Sequence, residues 1–141
     1  MRNEINVSFC ICDYNDITHE QISNELGLIA YNVTHAKDLE SKAVSTKKED
    51  KWVYGTAYGN MENFSEQMEK ILDALEPKVS VLEKFARKYT CKFRVVIFLR
   101  NREESTPWVF LEKRYNAFIK KIDAVLDIEV YTPEFPLLSN N

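Results

Sequence analysis

The segment from Phe93 to Leu99 constrains the fold of this chain more than any other part of its sequence. Its odd-numbered residues are all apolar, and Val96 and Phe98 place further apolar groups on the opposite face of an extended strand. A strand that is apolar on both faces is typical of the centre of a sheet, where other strands flank it and other elements cover it. The rest of the chain therefore has to supply a sheet and its covering layer.

Four further segments alternate apolar residues with polar or small ones, the period of two that predicts strands. They run from Ile5 to Ile11, Leu28 to Val33, Trp52 to Tyr58 and Leu126 to Tyr131. Another segment, Trp108 to Leu111, is either a short strand or the beginning of the next helix. We expect a sheet of about five strands.

A capping box predicts where the first helix begins. The Thr18 hydroxyl can accept from the Gln21 amide while the Gln21 side chain reaches back to the Thr18 backbone. Gly27 follows the last apolar position, where a positive φ costs glycine little. These signals predict a helix from about Thr18 to Leu26.

The segment from Phe64 to Tyr89 carries the longest helical pattern. Asn63 and Glu66 have the spacing of a capping box, and apolar residues recur at helical spacing on both sides of Pro77. Because proline lacks an amide proton and disfavours helical geometry in the residue before it, we expect either two helices or one sharply kinked helix. An apolar stripe from Leu111 to Ile122 predicts a further helix.

The order of these elements predicts an α+β fold, with helices packed on one face of a mostly antiparallel sheet. A variant of the ferredoxin-like arrangement is the natural candidate. A length of 141 residues is typical of one domain, which we place at residues 1–132. Residues 133–141 form a C-terminal tail, in which Phe135, Leu137 and Leu138 suggest docking rather than full disorder.

Composition argues against several classes of protein. The net charge is −3 and the isoelectric point is about 5.5, whereas a protein that mainly binds nucleic acid is normally basic. Its three glycines cannot form a Gly-x-Gly-x-x-Gly or Walker loop, which disfavours the common nucleotide-dependent enzymes. No apolar run approaches the roughly 18 residues of a membrane span, and the first residues lack the pattern of a signal peptide. Three cysteines without a disulfide framework favour the reducing cytoplasm.

Cys10 and Cys12 lie on the same face of the first predicted strand, where they could bind a soft metal together with Cys91 or His35. Zinc sites more often combine a Cys-x₂₋₄-Cys pair with a second pair, and this chain has no second pair. Small, half-buried side chains are the preferred interpretation. We therefore expect no metal and no cofactor.

The titratable residues form no known catalytic motif. His19 falls in the first turn of a helix, where the helix dipole disfavours its cation, and we expect a solvated surface histidine. Asp127 and Glu129 share a strand face and could act as paired acids, but among 22 acidic residues close pairs are expected. Exposure to solvent, or pairing with Lys or Arg across the strands, is the preferred interpretation. We expect no enzymatic activity.

Aromatic and acidic residues are the candidates for contact with a partner. Trp52 and Tyr54 lie on one face of a predicted strand, and such residues are enriched at the centres of protein interfaces. The same stripe also serves to pack a layer of helices, which is the stronger interpretation. The acidic candidates are Asp13, Asp16, Glu62, Glu66 and Glu69.

The layout of the chain resembles the bacterial family catalogued as domain of unknown function 4279. The matching elements, in chain order, are Phe9 to Asp13, Ile17 to Leu28, Lys51-Trp52, Phe64 to Pro77 and Leu126 to Tyr131. Their order and spacing carry the resemblance, rather than any single element. The resemblance implies no established activity and no catalytic residues. Small domains of this kind are similar to those found beside bacterial toxins as immunity partners.

We hypothesise that the chain is a protein-binding domain, and specifically an immunity protein that neutralises a cognate toxin. An acidic face with a few aromatic anchors would cover the basic active site of that toxin, and opposite charge would speed the encounter. The alternative is a sensor domain that binds a small molecule or a peptide between its sheet and its helices. A third hypothesis is an enzyme of unfamiliar type. The sequence leaves the oligomeric state open.

Overall fold

A computed structural model describes residues 2–34, 50–55, 59 and 61–132 of the chain. Three predictions fall outside these residues: the end of the aromatic strand at residues 56–58, His35 as a metal ligand, and the tail at residues 133–141. The structure described below is that of the remaining residues.

In the described part of the chain, five strands form one sheet. They are β1 (Glu4–Cys12), β2 (Asn32–Thr34), β3 (Lys51–Gly55), β4 (Thr90–Phe98) and β5 (Ala124–Tyr131). The strand order is β2-β3-β1-β4-β5. Three of the four pairings are antiparallel, and β4 and β5 are parallel. The mixed α/β architecture is thereby confirmed, with the sheet mostly antiparallel as expected.

The first four strands belong to two interleaved β-α-β units. β1 and β2 run in the same direction with β3 between them, and β3 and β4 run in the same direction with β1 between them. This split arrangement is the topology of ferredoxin-like sheets. β5 extends it, because it adds a parallel strand at the outer edge of β4.

Among the described residues, four α-helices connect the strands: α1 (His19–Leu26), α2 (Phe64–Leu75), α3 (Val79–Lys88) and α4 (Lys113–Lys121). Both predicted capping boxes form, one at Thr18 and one at Asn63, and Gly27 ends α1 in the left-handed conformation with φ of 66°. The segment around Pro77 is a 3₁₀ turn, Glu76–Lys78, between α2 and α3. Of the two alternatives for Phe64 to Tyr89, the structure therefore has two helices.

The core lies between the helices and one face of the sheet. The odd-numbered residues of β1, from Ile5 to Ile11, are buried against the helices. Phe93 of β4 lies at the centre of an aromatic cluster, with its ring 5.1 Å from Phe9, 5.1 Å from Tyr115 and 5.8 Å from Phe118. Edge-to-face rings at these distances add to the stabilisation from burial alone.

β1, rather than β4, occupies the middle of the sheet. Every residue of β1 is buried, including the polar ones on the face away from the helices. β4 is an interior strand between β1 and β5, and its face away from the helices is only partly covered. The prediction of a central strand at Phe93 to Leu99 is therefore correct in placing it inside the sheet and wrong in placing it at the middle.

A glutamine side chain binds the backbone of the first half of β1. Within the described residues, the pairing of β1 with β3 extends from Cys12 opposite Lys51 to Ser8 opposite Gly55. Gln67 of α2, which is fully buried, accepts from the Val7 amide at 2.9 Å and donates to the Ile5 carbonyl at 2.8 Å. Because buried backbone groups need partners, Gln67 serves β1 here as a neighbouring strand would.

Two predicted elements differ from the structure. The strand expected at Leu28 to Val33 is limited to Asn32–Thr34, and Trp108 to Leu111 is neither strand nor helix. The longest described helix, α2, has 12 residues. Within the described part of the chain, no helix combines the length and the apolar character that crossing a bilayer requires.

Candidate protein-binding site

The segment from Pro107 to Glu112 presents two large aromatic side chains to solvent. It lies between β4 and α4 and alternates in burial, because Val109 and Leu111 pack against the core. Trp108 and Phe110 point the other way and are 81% and 61% exposed. Isolated exposed apolar residues are common, but two neighbouring aromatics over a groove are typical of an interaction site.

A groove borders these aromatics. One part, of about 610 Å³, lies between Phe110, Glu69 of α2 and the beginning of α4. A second part, of about 350 Å³, lies between Trp108, Phe110 and the first turn of α2. Phe64, Met68 and Leu72 of α2 line a narrower cavity under Phe110 and are themselves buried. The groove therefore has an apolar base and aromatic walls.

Charged side chains form the rim of this groove. Arg114 is held by Asp73 at 2.6 Å and by Glu76 at 2.8 Å. The hydrogen bonds between Arg114 and these carboxylates lower the pKa of Glu76 and raise that of Arg114, so Glu76 and Arg114 stay charged at neutral pH. Glu69 and Glu112 are exposed beside them, and Lys113 is the other cation of the groove lining. The groove lining thus carries two carboxylates, Glu69 and Glu112, and two cations, of which Arg114 is already paired with Asp73 and Glu76.

Three of the predicted acidic residues lie on α2 or just before it. Glu69 lines the groove directly. Glu66 accepts from the Asn63 backbone amide at 3.0 Å as part of the helix cap. Glu62 forms an ion pair with Lys70. Of these three residues, Glu69 is therefore the one that lines the groove. Its carboxylate takes part in neither a helix cap nor a described ion pair.

Asp13 and Asp16 lie at the other end of the sheet. Asp13 follows the last residue of β1 and accepts from the Thr90 hydroxyl at 2.9 Å. Asp16 accepts from the Tyr89 hydroxyl and from Lys88 at 3.2 Å, and these bonds hold its pKa below the ordinary value. These acids interact with neighbouring groups of their own chain.

The five acids therefore do not form one acidic face. α2 begins beside the first residues of β1, as the bond from Gln67 to Ile5 requires, whereas Asp13 and Asp16 follow its last residue. A strand of nine residues is roughly 27 Å long. Glu62, Glu66 and Glu69 thus lie at one end of the sheet and the two aspartates at the other.

Trp52 and Tyr54 belong to the core layer. Trp52 is fully buried, and its indole N–H donates to the Ser23 hydroxyl at 3.0 Å. Tyr54 is partly buried and stacks on Trp52 with ring centroids 6.2 Å apart. Because Trp52 is buried, the prediction that it contacts a partner is wrong. Its position supports the other interpretation, that the aromatic stripe packs against the helices.

Trp108 and Phe110 are not among the contact residues that the sequence predicts. The alternation from Trp108 to Leu111 was visible, but a period of two over four residues does not say which face is covered. The usable signal was the position of two bulky aromatics between a charged turn and an amphipathic helix.

The other candidate residues have local structural roles. Cys10 and Cys12 lie on the sheet face away from the helices, whereas Cys91 lies on the helix-covered face opposite Ile11. Burial raises the pKa of the Cys10 thiol, and that of Cys91 to about 12. Within the described ranges, no three His, Cys, Asp or Glu side chains come together in a way that could hold a metal ion.

His19 is buried, contrary to the prediction of a solvated surface histidine. Its Nδ1 is hydrogen-bonded to the Tyr14 hydroxyl, and the two rings are 5.5 Å apart. Burial is also the main cause of the raised pKa of Tyr14. The position of His19 in the first helical turn did not indicate its burial. The residue that packs against it, Tyr14, lies in the turn before the helix.

Asp127 and Glu129 pair with cations of the adjacent strand, as one of the two sequence interpretations expected. Lys92 lies 3.8 Å from Asp127, and Arg94 donates two bonds of 3.0 Å to Glu129. These bonds lower the pKa of Glu129, with Arg94 as the main cause. The two carboxylates are thus partners of separate cations rather than of each other.

Comparison with known proteins identifies the family. A protein-family model described as a domain of unknown function (DUF4279) matches residues 3–133. Neither a curated protein nor a solved structure matches the chain. Because residues 3–133 are most of a chain of 141 residues, the protein belongs to the DUF4279 family.

Proposed function

We propose that this chain is a non-enzymatic protein-binding domain whose contact surface is centred on Trp108 and Phe110. The observation that carries the proposal is the 81% exposure of Trp108 beside a groove with an apolar base. Exposing an indole ring to water is unfavourable, and tryptophan is among the residues that contribute most to binding when an interface buries them.

The rim of the groove indicates the chemistry of the partner. The apolar base fits an aliphatic or aromatic side chain of the partner. Glu69 and Glu112, on either side of Phe110, fit a Lys or Arg next to that side chain. The partner that we propose is a basic protein, and the specific form of the hypothesis is a toxin whose active site this domain covers.

A sensor domain is the alternative, and the structure narrows where its ligand would bind. The space between the sheet and the helices is filled by the side chains of one continuous core. A small ligand would need a groove at the surface, and the groove at Phe110 is the one that we propose, so the experiment below has to distinguish a protein from a small molecule.

The test begins with affinity purification of the tagged chain from its native cell, under a moderate salt wash. The identified protein is then produced separately and its affinity measured with the wild type and with Trp108→Ala and Phe110→Ala. Ile29→Ala is the matched control, because Ile29 is 88% exposed and lies in the loop after α1. Co-expression of the partner with and without this chain measures suppression of toxicity.

The proposal predicts that each aromatic variant weakens binding at least about 30-fold, the effect of losing a residue worth roughly 2 kcal/mol. Ile29→Ala should bind like the wild type. A partner that binds the aromatic variants at full strength would overturn the assignment of the surface. A retained small molecule with no protein partner would favour the sensor alternative, and a partner without toxicity would remove the immunity hypothesis.

A further inference from the structure

The strand β5 forms one edge of the sheet. In the described part of the chain, no strand lies beyond it, whereas the opposite edge, β2, has only three residues. The Leu99 amide donates to the Tyr131 carbonyl at 2.9 Å. Since the backbone groups of a strand alternate in direction, the odd-numbered residues of β5 face β4. The amides and carbonyls of Leu126, Ile128 and Val130 face outward.

This edge lacks the features that usually prevent strands from pairing. Its sequence contains no Pro, Gly or Lys, which are common protective residues at sheet edges. Val125, Ile128, Val130 and Tyr131 are each between 45% and 54% exposed. An eight-residue edge with exposed apolar side chains, whose outward backbone groups have no partner among the described residues, is a template for another extended strand.

The side chains of β5 are arranged symmetrically about Ile128. Leu126 and Val130 lie two residues to either side, and Asp127 and Glu129 lie one residue to either side. Val125 and Tyr131 lie three residues to either side of Ile128, and both side chains are largely apolar. An antiparallel pairing of two copies centred on Ile128 would therefore place each side chain opposite one of its own class, as a two-fold interface requires.

The acidic residues are compatible with this pairing because each already has a cation. Two carboxylates directly opposite each other would normally repel. Asp127 lies 3.8 Å from Lys92, and Glu129 receives two bonds from Arg94. Asp127 of one copy and Glu129 of the other would then meet as two neutral ion pairs.

We propose that two copies of this chain pair through β5, antiparallel and centred on Ile128, to join their sheets. Leu126, Ile128 and Val130 would each supply an amide and a carbonyl, about six intermolecular hydrogen bonds in all. The exposed valine and isoleucine side chains would be covered by their symmetry mates. This surface is separate from the groove at Trp108, and the proposal does not depend on the proposed function.

The test measures molecular mass by sedimentation equilibrium over a range of concentrations, with wild-type chain and three variants. Val130→Pro removes an outward amide and leaves the hydrogen bonds to β4 intact. Ile128→Lys places two like charges together at the two-fold axis. Val33→Lys is the control, because it introduces the same charge at the opposite edge of the sheet. Circular dichroism and thermal melting verify that each variant is folded.

We expect the wild type and Val33→Lys to form dimers with the same dissociation constant. Val130→Pro and Ile128→Lys should weaken the dimer about 30-fold or more, from the loss of two hydrogen bonds or from charge repulsion. A wild type that stays monomeric at all concentrations would overturn the proposal. So would a dimer that a folded Ile128→Lys variant leaves unchanged, even if Val130→Pro fails to fold.

Discussion

Replacing Gln67 with methionine tests the most distinctive feature of the core. The two side chains have similar length and volume, so the change removes polar atoms and leaves little empty space. Three described hydrogen bonds are lost. Gln67 accepts one from the Val7 amide at 2.9 Å, and it donates one to the Ile5 carbonyl at 2.8 Å and one to the Glu62 carbonyl at 2.8 Å. The first two involve buried backbone groups of β1.

The magnitude follows from those two groups. A buried donor or acceptor left without a partner costs about 1–3 kcal/mol, and water can replace the bond at the partly exposed Glu62 carbonyl. The buried methionine side chain recovers about 1 kcal/mol through its apolar surface. We therefore expect Gln67→Met to lower the free energy of unfolding by about 3 kcal/mol. For a domain of this size, that change corresponds to a melting temperature that is lower by roughly 10 °C.

Urea denaturation of wild type and variant measures this difference, with the slope of the transition showing that the unfolded state is comparable. Glu69→Met is the matched control, because it places the same side chain at an exposed position of the same helix. Its effect should stay within about 0.5 kcal/mol. Equal stability of the two variants would refute the idea that the bonds from Gln67 to the backbone of β1 stabilise the fold.

Gln67→Glu adds a dependence on pH. The substituted carboxyl retains an acceptor for the Val7 amide but cannot donate when ionised, and burial raises its pKa above the unfolded value. Its protonated form, which can donate to one carbonyl, is present at low pH. The destabilisation should therefore be smallest below about pH 4 and grow as the pH rises. A destabilisation that is independent of pH would contradict this account.

Three further predictions concern the sheet. Gly55→Ala should lower stability by about 2 kcal/mol, because its Cβ would lie 2.8 Å from the Val7 carbonyl oxygen; an unchanged melting temperature would contradict that close approach. Cys91 and Cys10 should react with thiol reagents only after unfolding, since burial raises the pKa of both thiols; rapid labelling of the native chain would contradict their burial. Arg94 lowers the pKa of Glu129, so this pair stabilises the fold above the ordinary glutamate pKa and its contribution is lost as the pH falls through the lower folded value. In urea titrations, Glu129→Gln should reduce the loss of stability between about pH 5 and pH 3, and an unchanged pH profile would argue against the pair.

The elements of this fold were predictable wherever a local signal marks them. The capping residues Thr18 and Asn63, together with Gly27 and Pro77, set the helix boundaries within a residue or two of those observed. Such signals work because they depend on hydrogen bonds and backbone angles within a few residues of each other.

The candidate site was less predictable than the fold. The chain has two tryptophans, each in a segment that alternates with a period of two. Trp52 is buried under the helices and Trp108 is exposed on a segment beside α2. Local pattern does not separate these outcomes, because exposure depends on which elements happen to lie above each side chain.

Side-chain periodicity and local hydrogen bonding are enough to predict most of the strands and helices of this fold and the apolar face of each. The strand order, the burial of His19 and the partners of the acidic residues depend instead on the tertiary structure. It also decided the supporting role of Gln67, 60 residues from Val7 along the chain. These features depend on contacts between distant segments, and the distance between such segments is fixed only when the whole sheet and its helices have packed together.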